Sequence, residues 1–213
     1  MNRQSHAEPI LAIASNNQGK IAELRSLLGD AVYVVTLAGL GLESPEETGQ
    51  TFQENAEFKA RYVHDHTGLP ALADDSGLEV DALDGRPGVR SARFAGEAAT
   101  DADNRALLLA ELTDVPTTGR TARFVSVIAM VDEDGGLHAA RGTCEGVITF
   151  QERGANGFGY DSIFELADGQ TMAELDPHEK NRRSHRGLAM RHALPAVRAA
   201  LGLTSDIRDV DAP

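Results

Sequence analysis

Lysine is scarce in this chain. Of its twenty basic side chains only Lys20, Lys59 and Lys180 are lysine, and the other seventeen are arginine. Cysteine is scarcer: Cys144 alone cannot close an internal disulfide, which fits a reducing compartment, and its strand-like surroundings read as those of a buried, inert thiol. No apolar run approaches membrane-spanning length, and Met1 to Pro9 lacks the apolar middle of a signal peptide, so the expected location is the cytoplasm. Positive charge is also short. A net charge of −13 excludes a broad nucleic-acid surface, because such a surface needs a basic face to displace counterions from phosphate. It does not exclude a small anionic ligand, which needs only a local cationic pocket with a divalent metal beside it.

With 213 residues, 41% of them hydrophobic, the chain can bury the core of one domain, or of a domain with a smaller lobe. Ile10–Ala14 reads as a strand, Ser15–Lys20 as a polar turn, and the spacing of Ile21, Leu24, Leu27 and Leu28 as a helix. Val32–Val35 reads as a second strand and 37–50 as a loop. Thr51 with Glu54 makes a capping box for a long helix whose stripe is Phe52, Ala56, Ala60 and Val63. Ala71–Ala73 leads into Asp74-Asp75-Ser76-Gly77 at a strand end, followed by a half-buried strand over 78–83.

A glycine-rich, arginine-bearing loop covers 84–96, and Thr100 opens a helix through Leu112. Residues 122–131, apolar on both faces, read as a central strand returning over 137–150. Asp176 caps a short helix with Pro177 at its first position, and a last amphipathic helix runs over 186–201. The expected class is α/β, with a mixed central sheet flanked by helices. The expected organisation is a single domain over 10–203, with an N-terminal extension over 1–9 and an acidic tail over 204–213.

Four segments carry chemistry. In Ser15-Asn16-Asn17-Gln18-Gly19-Lys20 a turn into a helix start offers backbone N–H groups, polar side chains and an ammonium to an anion, although Ser and Asn also cap ordinary helices. It is not a Walker loop, since Ile21 follows the lysine. Asn55 and Lys59 lie one turn apart on one helix face, which can point into a cleft or into solvent. Asp74 and Asp75, being adjacent, face opposite ways, so one can hold Mg²⁺ and orient a water while the other supports it; an Asp- and Gly-rich turn is the plainer alternative. Gly157-Phe158-Gly159-Tyr160-Asp161 combines close backbone approach with aromatic faces for a base, and Lys180, His185 and Arg186 add donors. His64 and His66, two apart on a helix, diverge and make a poor metal pair.

Taken in order, Ser15-Asn16-Asn17-x-Gly19-Lys20, Phe52-x-Glu54-Asn55-Ala56-x-x-Lys59-Ala60, Ala73-Asp74-Asp75-Ser76-Gly77-Leu78, Ser91-Ala92-Arg93-Phe94, Gly157-Phe158-Gly159-Tyr160-Asp161 and Ser184-His185-Arg186-Gly187 resemble the pyrophosphatases of non-standard purine nucleoside triphosphates, the Ham1-like dITP/XTP house-cleaning family. The resemblance covers roughly residues 10 to 201 and implies two lobes with an active-site cleft between them. It implies hydrolysis of dITP, ITP or XTP between the α and β phosphates, with Mg²⁺ and as a homodimer. Ser15 to Lys20 with Lys59 would hold the triphosphate, and Asn55 would be a further substrate contact. Asp75 would be general base and metal ligand, Glu47 the second metal ligand, and Ser76 a substrate contact. Phe158, Gly159, Tyr160, Asp161, Lys180, His185 and Arg186 would take the base and sugar. The alternatives are a Maf-like nucleotide pyrophosphatase, whose loop would be expected to use arginine where Gly19-Lys20 stands, and a nucleotide-binding sensor without turnover.

Overall fold

In the computed structural model, which describes residues 8–203, twelve named elements follow one another: β1 (Ile10–Ile13), α1 (Gln18–Leu28), β2 (Tyr33–Thr36), α2 (Leu37–Leu40), α3 (Phe52–Thr67), β3 (Ala71–Val80), α4 (Asp101–Glu111), β4 (Thr121–Val131), β5 (Leu137–Ile148), β6 (Phe164–Glu165), α5 (Pro177–Arg183) and α6 (His185–Ala200). The helix starts read from the sequence form as their caps dictate. Thr51 and Glu54 satisfy each other's backbone N–H groups, Thr100 and Asp103 do the same, and Asp176 accepts from Glu179 N–H with Pro177 at the first position. The acidic tail and the first seven residues of the extension lie outside the described residues.

The six strands make one sheet in the order β2-β1-β3-β4-β5-β6. β1 runs parallel to β2 and β3, and the remaining pairs are antiparallel, which makes the sheet mixed as expected. Side-chain alternation then sorts the core. Leu72, Ile128 and Met130 pack with α1 and α6 on one face, while Ala71, Ala73, Val127, Ala129 and Val131 lie under Phe52, Ala56, Ala60 and Val63 of α3 on the other. Further along the same strands Leu78, Val80, Ala122 and Phe124 join Leu108, Leu112, Ile163, Phe164 and Met172 in a second lobe.

Several boundaries differ from the sequence reading. Asp74-Asp75-Ser76-Gly77 is not a strand end: β3 runs unbroken from Ala71 to Val80, paired residue for residue with β4, so Asp75 faces Val127 in mid-strand. Conversely the strand expected over 78–83 stops at Val80 and turns, the return strand stops at Ile148 rather than Phe150, and one helical turn interrupts the loop expected over 37–50. Asp74 to Gly77 belong to none of the apolar clusters. They form a polar waist on β3 between the two lobes.

Candidate active site

The waist of β3 carries charge on both faces. On the α3 side, Lys59 Nζ donates to Asp75 Oδ1 (2.7 Å), to the Asp74 carbonyl (3.0 Å) and to Glu47 Oε1 (2.9 Å). Asn55, one turn earlier on α3, donates to Asp75 Oδ2 (3.3 Å) and accepts from Gly49 N–H (2.8 Å), fastening the loop that carries Glu47. Arg93 holds the other oxygen of Glu47 at 3.0 Å. Asn55 and Lys59 therefore do share one target, as their helical spacing allowed.

On the opposite face, fully buried Asp74 accepts from Ser126 Oγ (2.5 Å) and Ser76 Oγ (3.0 Å) and pairs with Lys20 (3.0 Å) and Arg186 (3.3 Å). Arg186 also donates to Ser76 Oγ (2.8 Å) and pairs with Glu23, which binds Lys180 at 2.7 Å; Lys180 in turn pairs with Asp161 at 2.6 Å. A cleft opens here, lined by Asn17, Lys20, Ser76, Phe158, Lys180 and Arg186 among others. The three lysines thus surround one waist: Lys20 pairs with Asp74 and Lys59 with Asp75, and the charge of Lys20 also reaches Asp75 and Glu47.

The electrostatics follow this layout. Burial would raise Asp74, but Arg186, Lys20 and the Ser126 hydroxyl outweigh it and hold the carboxyl well below its usual range. Burial would likewise lower Lys59, yet Asp75 and Glu47 keep its ammonium above the ordinary value. Asp75 and Glu47 move apart although both bind that ammonium. Burial raises Asp75, and the charge of Glu47 adds to the rise. Burial would raise Glu47 too, but Lys59, Arg93 and Lys20 outweigh it and pull its carboxyl down to about 2.

The other residues expected at a ligand already have structural partners, and Asn17, Phe158, Tyr160 and His185 also line the cleft. Asn17 spends its side-chain oxygen capping α1 on Lys20 N–H (3.0 Å), and buried Ser15 accepts from Asn17 N–H (3.2 Å), so both shape the turn. Asn16 and Gln18 are exposed, Gln18 reaching only the Asn16 carbonyl. Tyr160 is buried in the second lobe, its hydroxyl bonded to Ser91 O (2.8 Å). Phe158 lies with its ring under Lys180 (4.7 Å) and Arg186 (5.6 Å). His185 stacks on Phe124 at 4.7 Å with its Nδ1 buried and unpartnered, and burial followed by Arg186 pushes its pKa well below the usual value.

Four participants carry less than their full role in the sequence. It suggests only support for Asp74 and nothing for Arg93, and Ser126 sits in an apolar run. Glu23 was readable, since three residues after Lys20 on a helix puts it on the same face.

Among the described residues no three His, Cys, Asp or Glu side chains gather to hold a metal alone. Asp75 and Glu47 do aim carboxylate oxygens at one cationic point. Such a pair suits Mg²⁺, which takes one or two carboxylates and fills its remaining positions with water and substrate phosphate.

The fold is α/β, with lysine–carboxylate pairs on both faces of one strand beside a cleft that Phe158 lines. A model of the Ham1 family matches residues 11–196. The chain belongs to the Ham1 family. It is 50% identical over 184 residues to the dITP/XTP pyrophosphatase of Haemophilus influenzae, covering 84% of this chain and 94% of that one, and 51% identical over 187 residues to that of Desulforamulus reducens, covering 86% and 93%. The solved HAM1 protein of Coxiella burnetii superposes with a TM-score of 0.81 at 43% identity over 90% of this chain and all of that one. A dITP/XTP pyrophosphatase from Mycobacterium abscessus gives 0.70 at 46% identity over 88% and 98%.

Proposed function

We propose that this chain hydrolyses dITP, ITP and XTP to the nucleoside monophosphate and pyrophosphate, clearing them from the nucleotide pool. The observation that carries this reading is the Asp75–Lys59–Glu47 cluster set against the Lys20–Asp74–Arg186 cluster on the other side of one strand, beside the cleft that Phe158 lines. The relatives' names supply the substrate class.

In the proposed reaction Asp75 accepts the proton of a water as its oxygen bonds to the α phosphorus; the bond from that phosphorus to the α–β bridging oxygen breaks, and pyrophosphate leaves with the electron pair. Lys20 and Lys59 offset charge spreading over the phosphate oxygens, with the turn from Ser15 to Gly19 supplying backbone N–H groups. Asn55 keeps the Asp75 carboxylate in orientation. Mg²⁺, held by Asp75 and Glu47, would supply further charge neutralisation on the phosphates.

At the other end, Phe158 offers a face to the base, with Gly159, Tyr160 and Asp161 shaping the loop behind it. Hypoxanthine and xanthine carry an acceptor at position 6 where adenine carries a donor. Donors from Lys180, His185 and Arg186 would leave adenine facing buried groups with no partner.

Residues 10–203 would act as one catalytic domain, and the chain as a cytoplasmic homodimer without nucleic-acid or membrane partners. No helix among the described residues is long and apolar enough to cross a membrane.

Incubation with dITP, XTP, dATP or dGTP plus Mg²⁺, with the products resolved, tests the reading. Monophosphate and pyrophosphate from dITP and XTP are expected. Orthophosphate with diphosphate left behind would overturn it. The family match favours this over the Maf-like enzyme, and Gly19-Lys20 stands where that loop would use arginine. A sensor without turnover would keep its signalling function in Asp75→Asn.

A further inference from the structure

The structure assigns Gly19 a task of its own, which rests on the pyrophosphatase reading: it is the seat of the Phe158 ring, and so a positioning residue that joins the phosphate end of the site to the base end. Gly19 is the second residue of α1 and is not among the positive-φ glycines. A helix favours alanine over glycine at such a backbone, so local conformation gives no reason for the missing side chain.

Space gives the reason. A methyl group on Gly19 would stand 2.6 and 2.7 Å from two ring carbons of Phe158 and 3.1 Å from a third, well inside ordinary carbon contact. The ring cannot withdraw with its backbone. Phe158 N–H donates to Asp161 (2.9 Å), Gly159 N–H donates to Asp101 (2.7 Å), and the Gly159 carbonyl accepts from Arg105 (2.8 Å). Lys180 and Arg186 close it from above. What remains is rotation of the ring about its own side-chain bonds, and a hollow lined by Ala22, Asn156, Leu175 and Pro177 gives it room to turn. Because Phe158 also lines the cleft, that rotation moves the surface on which a base would lie. Gly19 precedes Lys20, so one residue's lack of a Cβ sets the base surface against the phosphate-binding turn.

The test compares wild type, Gly19→Ala, Phe158→Leu and the double variant by calorimetry. IMP probes the base end and inorganic tripolyphosphate with Mg²⁺ the phosphate end; kcat and KM for dITP are measured alongside. Gly19→Ala is expected to weaken IMP about tenfold, the scale of one lost base stack, while tripolyphosphate affinity stays within about twofold. Its melting temperature is not expected to fall. The double variant is expected to bind IMP no more weakly than Phe158→Leu, since without the ring the methyl group meets nothing.

Unchanged IMP affinity in Gly19→Ala, equal losses for IMP and tripolyphosphate, or additive losses in the double variant would each overturn the assignment. If Gly19→Ala does not fold but the double variant does, the seat is upheld; if neither folds, it is overturned. Failure of the wild type to hydrolyse dITP would sink the proposed reaction and leave these binding measurements standing.

Discussion

The carboxylates of Asp74 and Asp75, neighbours on β3, engage different lysines: Asp74 meets Lys20 at 3.0 Å beneath α1 and α6, and Asp75 meets Lys59 at 2.7 Å beneath α3. Strand alternation gives the two acids of one dipeptide different pairing partners, although the charge of Lys20 also reaches Asp75. The different partners make the two residues distinguishable by experiment.

Asp75→Asn keeps the size of the side chain and one acceptor for Lys59 but removes the base. We expect turnover of dITP to fall by about 10²- to 10⁴-fold, with a stability loss smaller than that of breaking a buried pair outright, because Asn still accepts from Lys59 and Glu47 stays beside that ammonium. Single-turnover release of pyrophosphate reads the first effect and urea denaturation the second. Full activity in this variant would exclude Asp75 as the base.

Asp74→Ala, by contrast, leaves Arg186 and Lys20 short of a buried partner and strips Ser126 and Ser76 of their acceptor. Breaking a buried pair from one side costs about 3–5 kcal/mol. Denaturant unfolding should show a loss of that size, and a change within about 0.5 kcal/mol would contradict the network drawn around it.

His185 bears on pH. Its folded-state pKa is depressed, so the folded protein resists a proton that the unfolded chain accepts below about pH 6.5. Its contribution to stability is therefore fully present above that value and declines as pH falls, at a rate approaching about 1.4 kcal/mol per pH unit. His185→Phe should flatten the difference in stability between pH 7.5 and pH 5 relative to wild type. Parallel pH curves for the two proteins would refute the assignment.

Chelation separates chemistry from folding. The three apolar clusters hold the described chain together without reference to Asp75 or Glu47. EDTA should stop turnover while leaving the circular dichroism spectrum and melting temperature unchanged. A cooperative loss of structure on chelation would mean that the metal has a structural role.

Much of the fold was readable because its cues are local. Thr51 with Glu54 and Asp176 with Pro177 fix helix starts within a few residues, and Phe52, Ala56, Ala60 and Val63 form a stripe because a helix puts them there. Asp74 to Gly77 misled because Asp and Gly are poor strand formers and good turn formers. What keeps them extended is distant in sequence: the β4 ladder, and the Ser126 hydroxyl that satisfies Asp74. Gly77 is needed for proximity rather than bending, since a Cβ there would stand 2.5 Å from the Gly88 carbonyl. β6, two residues long, has no pattern to read, and the Arg93–Glu47 pair spans 46 positions.

The mid-strand placement of Asp74 and Asp75 has an evolutionary corollary. Side chains on β3 change sides with every residue, so inserting or deleting a single amino acid upstream of them, within the paired stretch, would hand each acid to the other's cations. A change of length in the loops at either end leaves this parity untouched, whereas one inside the strand does not, and a laboratory library of indels should recover active clones almost entirely from outside residues 71–80.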